Sequence, residues 1–388
     1  MTAGAPDSPR AAAPRPPRLA SLDVFRGATI AAMILVNNPG DGSKTYAPLD
    51  HAPWHGWTPT DLIFPFFLFI VGVAIALVLG PRRGAAGQGA LMRKIWRRAA
   101  VIFLLGLALN WFPYYTVNWE RARIPGVLQR IAIVYLVTAL AYLRLGTRAR
   151  AILCVALLAG YGAILAFVPA PGGVAGDLSP EGNVAFALDH RVLGAHTWRY
   201  APGPGDPEGI LSTLGAIVSG LAGLFVGDAL RRESDPRHGA RVMLAWGLAA
   251  TTAGWLLGRV QPINKNLWTP AYVLFTTGAA LLLYAPLHAW IDGRARAPHW
   301  TRPFEVFGRN SILAFVGSGA LARLLGLIKV GDAAAPGGKI SLQKWLYASY
   351  FGPVFPDYIA SLAWAIANIL LWLAILAWLD RKRIYLKV

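Results

Sequence analysis

Carboxylates are scarce in this chain. Asp and Glu number 19 against 37 Lys and Arg, and charged residues make up only 14% of the 388. A soluble domain carries about 25% charged residues, so there is too little charge here to solvate an ordinary globular surface. Cysteine is rarer still. Cys154 stands alone inside an apolar run, which excludes an internal disulfide and makes it a small packing residue. No apolar h-region precedes a small-residue cleavage site near the start, so a cleavable signal peptide is not expected. Residues 1–18 are mostly Ala, Pro and Arg with almost nothing to bury, and are expected to form a disordered cytoplasmic tail. Internal repeats are also lacking. The two halves differ in loop length and motif content, which counts against an inverted-repeat transporter.

What the chain has is apolar length. Hydrophobic residues make up 55% of it and the mean hydropathy is +0.46. Apolar runs of about 17–25 residues are long enough to cross a bilayer as helices. Ten are expected, at 22–36, 61–79, 95–111, 126–142, 149–167, 210–230, 242–257, 268–284, 306–325 and 358–379. The fold class is therefore all-α, a polytopic membrane bundle over residues 19–388 with one long loop at 168–209. Lys and Arg gather in the tail, in the loops after the second, fourth, sixth and eighth spans, and at the C-terminus. Positive loops stay cytoplasmic, so both termini are expected inside. His51, the 168–209 loop and the PINKNLW segment then face the other side. The net charge of +18 follows from this topology, and nucleic acid is not an expected partner.

The polar residues at the span ends carry the chemistry. The segment HAPWHGWTPTDLIFPFFLFIVG places His51 ten residues before Asp61, where a polar loop enters the second span. His51 and His55 share the i, i+4 spacing of a zinc helix, but Pro53 disfavours a helix there and Ala52 stands where H-E-x-x-H needs Glu. No metal is expected. An imidazole acting as base or nucleophile fits better, with Asp61 or a carboxylate from another loop to orient it. Trp54 is a substrate-contact candidate; with Trp57 it could equally anchor at the interface. SLDVFRG sets Asp23 and Arg26 on one face of the first helix, and VNNPG ends that span with Asn37 and Asn38 at membrane depth. Either amide could cap the helix or meet substrate. RIPGVLQR opens the fourth span with Gln129 and Arg130; a buried arginine suits phosphate or carboxylate, or an intramembrane ion pair. FGRNSIL adds Arg309 and Asn310 at the cytoplasmic end of the ninth span. DPEGIL brings Asp206 and Glu208 just ahead of the sixth span, acidic groups that suit an amine or a hydroxyl-rich sugar, or that cap the helix. PINKNLW groups Asn264, Lys265, Asn266 and Trp268, the amides and aromatic face that sugar rings need, or an interface anchor.

LDVFRG, VNN, HAPWHGWTPTDLIFPFFLFIVG, RIPGVLQR, DPEGIL, PINKNLW and RNSIL follow one another in this order. The chain thereby resembles the heparan-alpha-glucosaminide N-acetyltransferase family, with its bacterial YeiB/NagX-like members, over residues 18–388. The resemblance implies a membrane acyltransferase of a bacterial inner membrane. An acetyl group would come from cytoplasmic acetyl-CoA and pass to an amino-sugar or glycan amine on the periplasmic side. In the H-A-x-W-x-G-x-T-x-x-D pattern the family's active-site histidine falls on His51 rather than His55, and its asparagine after the first span falls on Asn37. Arg26, Asn37, Gln129, Arg130, Arg309 and Asn310 are then expected along the acetyl-CoA path. Asn38, Trp54, Asp206, Glu208, Asn264, Lys265, Asn266 and Trp268 are expected towards the acceptor. Relatives have also been proposed to carry amino sugars, so a permease without acyl transfer is the alternative. The bilayer is the surrounding partner, and a homodimer is left open.

Overall fold

The computed structural model describes residues 19–84, 87–113, 118–332 and 337–386; the expected tail at 1–18 lies outside them. In chain order the helices are α1 (Ala20–Asn37), α2 (Ile63–Leu79), α3 (Gln88–Trp111), α4 (Val127–Arg144), α5 (Thr147–Phe167), α6 (Val184–Leu193), α7 (Ser212–Arg232), α8 (Pro236–Leu257), α9 (Pro270–Ile291), α10 (Arg302–Arg309), α11 (Ser311–Leu327), α12 (Leu342–Tyr350) and α13 (Asp357–Arg381). A two-stranded antiparallel ribbon, β1 (Lys329–Gly331) with β2 (Lys339–Ser341), joins α11 to α12. The chain is an all-α polytopic membrane bundle.

Among the described residues eight helices are long and apolar enough to cross a membrane, or nine if α10 and α11 count as one span. Ten were expected, and two differences account for the change. The third expected span is present as α3, but Arg93, Lys94, Arg97 and Arg98 occupy its first three turns, so only its second half is apolar. The ninth is not one straight helix. It breaks at Asn310, whose φ of −122° and ψ of 38° leave the helical region, and the axis bends by 72°. Arg309 at the bend donates to Glu305 and Asp380, each at 2.9 Å. A charge at membrane depth requires such partners.

Local signals set the helix starts. Thr269 caps α9 by accepting from the Tyr272 N–H at 3.4 Å, and Pro270 follows at the first helical position. Asp235 caps α8 in the same way from Arg237, at 2.9 Å, ahead of Pro236. Pro at that position gives up a donor that the helix leaves free in any case.

Backbone contact between small residues holds the centre. The α2–α7 crossing rests on Gly72, Gly220 and Gly223: a Cβ added at Gly72 would meet the Gly220 carbonyl, and one at Gly223 the Phe69 carbonyl. Such crossings gain dispersion contacts that lipid tails cannot match. Gly72→Val is therefore expected to cost about 3 kcal/mol or more, at the upper end of overpacking penalties, because backbone cannot move aside. A thermal midpoint in detergent checks this, with Gly146→Ala, which meets nothing within 4 Å, as the neutral control. A midpoint unchanged by Gly72→Val would refute the crossing.

Contacts distant in sequence sort the loops into two ends. At one end Ser21 meets Asp292, Arg83 donates to the Leu145 carbonyl at 2.7 Å, and Arg309 meets Asp380. This end is basic. At the other end Trp54 donates to the Leu178 carbonyl at 2.8 Å, Asn264 donates to the Trp54 carbonyl at 2.9 Å, and Arg123 meets Asp206. The 168–209 loop is ordered there and carries α6, capped by Asn183 accepting from the Phe186 N–H at 2.8 Å.

Candidate active site

The site is built from Asp61 outward. Asp61 lies in the short turn Pro59–Leu62 that leads into α2, and its side chain closes that turn as an N-terminal cap. One carboxylate oxygen accepts from the Thr58 and Ala52 N–H groups, both at 3.0 Å. The other lies 2.7 Å from His51 Nδ1. The aspartate side chain is 1% exposed and the histidine 49%. A buried carboxylate thus holds a half-exposed imidazole. The proton on Nδ1 is assigned from this partner, and it leaves Nε2 as the basic nitrogen. The Tyr272 hydroxyl donates to the Asp61 carbonyl and pins the turn to α9.

Lys265 closes the group from 214 residues away. Its Nζ lies 3.1 Å from His51 Nε2 and 2.9 Å from Nδ1, and 3.5 Å from Asp61. The tight turn 264–269 presents it. Asn264 Oδ1 accepts from the Leu267 N–H at 2.9 Å, and the Trp268 N–H donates to the Lys265 carbonyl at 3.1 Å. Trp268 takes a positive φ of 51° there, and its indole donates to Ser219 at 3.2 Å. Burial pulls the Lys265 ammonium below the ordinary lysine range, against the opposing pull of Asp61 and Glu208.

His51, Asp61 and Lys265 line a cavity of about 790 Å³ together with Asn37, Asn38 and Gln129. Asn37 is exposed. The Asn38 amide turns back to the Ile34 carbonyl at 2.8 Å, a helix-end bond. Gln129 donates to the Ile124 carbonyl at 2.9 Å. Trp54, Glu208 and Asn266 complete the expected lining. A second cavity of about 420 Å³ adjoins the first, and Met33, Val127, Leu128 and Phe315 line both. Its walls are mainly apolar, with Arg26, Arg98 and Arg309 among them.

Several expected site residues lie elsewhere. Arg130 is buried between Ser212 Oγ and the Gly209 carbonyl, with its guanidinium 5.0 Å from the Trp268 ring centre. It braces α4 against α7 and does not line either cavity. Asn310 ties the bend to the C-terminal segment, donating to the Ile384 carbonyl and accepting from the Leu386 N–H at 3.0 Å. Asn264 and Trp268 are fully buried parts of the turn that carries Lys265. Asp206 is also fully buried and does not line the cavity. His55 faces Asn264 at 3.3 Å, and burial lowers its pKa.

Arg123 was missed in the sequence. It forks onto Asp206 at 2.6 and 2.8 Å and reaches Glu208 at 2.5 Å. Both acids just ahead of α7 are thereby tied to a guanidinium rather than left free for an amine. Burial opposes the charge on Glu208, but Arg123, Arg130 and Lys265 outweigh it and hold its carboxyl low. The available signal was the charge balance, since a buried acid pair needs a cation. Nothing local says which of many arginines supplies it.

Residues 18–171 match the family model described as heparan-alpha-glucosaminide N-acetyltransferase, catalytic. That stretch contains Asn37, His51, Asp61 and Gln129. Human heparan-alpha-glucosaminide N-acetyltransferase is 30% identical over 357 residues, which cover 78% of this chain and 53% of the human protein. The mouse protein is 29% identical over 355 residues, with 77% and 53% covered. The chain thus spans about half the length of the curated relatives it matches.

Proposed function

The chain is a homologue of the heparan-alpha-glucosaminide N-acetyltransferases, and on that premise we propose that it is a transmembrane acetyltransferase. Acetyl-CoA would enter at the basic, cytoplasmic end. An amino sugar or glycan amine would enter at the His51 end, on the periplasmic side of a bacterial inner membrane. The observation that carries the reading is the Asp61–His51 pair in the wall of a cavity that adjoins a second, mainly apolar one. A thioester arm has apolar length to lie along, and Arg26, Arg98 and Arg309 offer cations at the far end for phosphates. Arg309 is paired with Glu305 and Asp380 and Arg26 with Asp23 at 3.1 Å; Arg98, stacked on Tyr135 at 5.0 Å, is the addition to the expected set.

In the direct route the acceptor nitrogen attacks the thioester carbonyl, the C–S bond breaks, and Nε2 takes the proton that the amine loses. The departing thiolate is then protonated to free CoA. In the covalent route Nε2 itself would attack the thioester carbonyl, and the C–S bond would break to release the CoA thiolate. The amine would then attack the acetyl carbonyl, the acetyl–Nε2 bond would break, and the proton that the amine loses would pass to the freed Nε2. Both need Nε2 unprotonated and Nδ1–H held by Asp61, because an imidazole turned by half a rotation has no orienting partner. Asn37, exposed and in the cavity lining, would donate to the developing oxyanion.

The test is CoA release from the purified full chain in proteoliposomes, with acetyl-CoA on one side only and amino sugars on the other. Acceptor-dependent release with acetyl-CoA at the cytoplasmic face supports the proposal. Uptake of labelled amino sugar without acetyl-CoA, unaffected by His51→Ala, would replace it with a permease.

A further inference from the structure

Lys265 brings an amine of the protein's own to the base. Its Nζ lies 3.1 Å from His51 Nε2, the nitrogen left basic once Asp61 holds the Nδ1 proton. That is the place an acceptor amine must take to hand Nε2 its proton. The backbone keeps the lysine there. Asn264 is fully buried, donates to the Trp54 carbonyl at 2.9 Å and accepts from the Leu267 N–H at 2.9 Å, so the 264–269 turn is tied to the loop that carries the histidine.

The chain has eight lysines. Among the described residues Lys265 alone lines either of the two adjoining cavities, while Lys329, Lys339 and Lys344 are exposed. Burial disfavours the Lys265 charge, against the pull of Asp61 and Glu208. It thereby raises the share of neutral, nucleophilic amine over that of an exposed lysine. A tethered amine beside a base also reacts at an effective concentration that a dissolved sugar matches only when bound.

We propose, on the acetyltransferase reading above, that Lys265 is a self-acetylation site: with acetyl-CoA bound and no acceptor present, the acetyl group passes to Lys265 Nζ and the enzyme stops. The ammonium first gives one proton to Nε2, which passes it to water at the half-exposed imidazole. The freed lone pair attacks the thioester carbonyl, the C–N bond forms, and the C–S bond breaks to release the CoA thiolate. One of the two protons left on the nitrogen goes by way of Nε2 to the thiolate. The products are free CoA and a neutral amide. An amide is too stable to pass its acetyl group on to an amine. The acetylated side chain also fills the acceptor's place and removes the cation that stood 3.5 Å from Asp61.

The purified full chain, given radiolabelled acetyl-CoA and no sugar, is expected to carry the label on the peptide that contains Lys265, with activity towards glucosamine falling in step. The label should resist hydroxylamine, which strips an acetyl-imidazole and leaves an amide. His51→Ala should slow labelling by at least about 10²-fold, and Lys265→Arg should abolish it. Lys329, Lys339 and Lys344 in the same wild-type sample give the rate of unassisted acetylation, so the result does not hang on a variant that folds. Glucosamine at concentrations that saturate transfer should suppress the label. A Lys265 rate no higher than that of the exposed lysines, labelling unchanged by His51→Ala or by saturating glucosamine, or full labelling with undiminished activity would each overturn the proposal.

The two readings fail separately. Transfer to glucosamine with no label on Lys265 removes the self-acetylation and leaves the function standing. Absence of transfer to any amino sugar removes the function, and a His51-dependent label on Lys265 then still upholds the modification site.

Discussion

His51→Ala is expected to lower acetyl transfer by at least about 10²-fold while the protein stays monodisperse, the scale for losing a positioned proton-transfer group. The reason lies in how the imidazole is held. Asp61 is buried, accepts from Thr58 and Ala52, and fixes Nδ1 at 2.7 Å. Nε2 is thereby fixed beside Lys265 in the cavity wall. Asp61 loses its partner in this variant but keeps three backbone and lysine contacts, so the turn survives. His55→Ala should cost less than about tenfold, because its imidazole faces Asn264 and contributes a hydrogen bond and packing. Acetyl transfer by the two variants, alongside size-exclusion profiles, decides the matter. Equal losses would mean that the 51–57 loop works as a structural unit. A near-normal His51→Ala would move the base to another group.

Arg123→Ala is expected to have the largest effect on stability, about 3–5 kcal/mol, as when one partner of a buried ion pair is removed. Asp206 is fully buried and Glu208 nearly so, and both depend on this guanidinium. Asp206 also accepts from the Trp198 N–H at 2.8 Å, and its own N–H donates to Asp189 at 3.2 Å. Losing the arginine should therefore loosen the whole 196–210 segment. Arg123→Lys should give an intermediate loss, since an ammonium keeps the charge without the fork. Adding Asp206→Asn and Glu208→Gln to Arg123→Met should recover part of the stability by removing the stranded charges. Thermal midpoints in detergent read all three, and a wild-type midpoint for Arg123→Ala would discard the account.

The helices were largely legible because span formation is a local property. In a bilayer the backbone must satisfy its own hydrogen bonds, so an apolar run of sufficient length has one outcome. The start of α2 was legible for the same reason: Thr58-Pro59-Thr60-Asp61 is a cap written in four residues. The bend between α10 and α11 was not. Val306–Leu325 is apolar enough for one span, and the break depends on where Arg309 finds Asp380, 71 residues on. The basic first half of α3 illustrates a different limit. Composition places its cations near a membrane face, but only the packing shows that Arg98 lines a cavity.

The site divides along the same line. His51 and Asp61 are ten residues apart, so a short loop and one cap suffice to join them, and the sequence named Asp61 among the carboxylates that could orient the imidazole; the fold selected it. Lys265 reaches the same histidine across 214 residues, and Arg123 reaches Asp206 across 83. Asn264 and Trp268 share a motif with Lys265, yet only the lysine faces the cavity, because the other two hold the turn. Arg130 and Arg323 look alike in sequence as lone arginines near span ends. One is enclosed by Ser212, Gly209 and Trp268, and the other opens onto the cavity with no carboxylate in salt-bridge distance among the described residues. Residue type and spacing determined where helices form and which residues could do chemistry. Which charges neutralise one another was decided only by tertiary structure, because pairing is set by distance in space and several partners of each sign compete for every site.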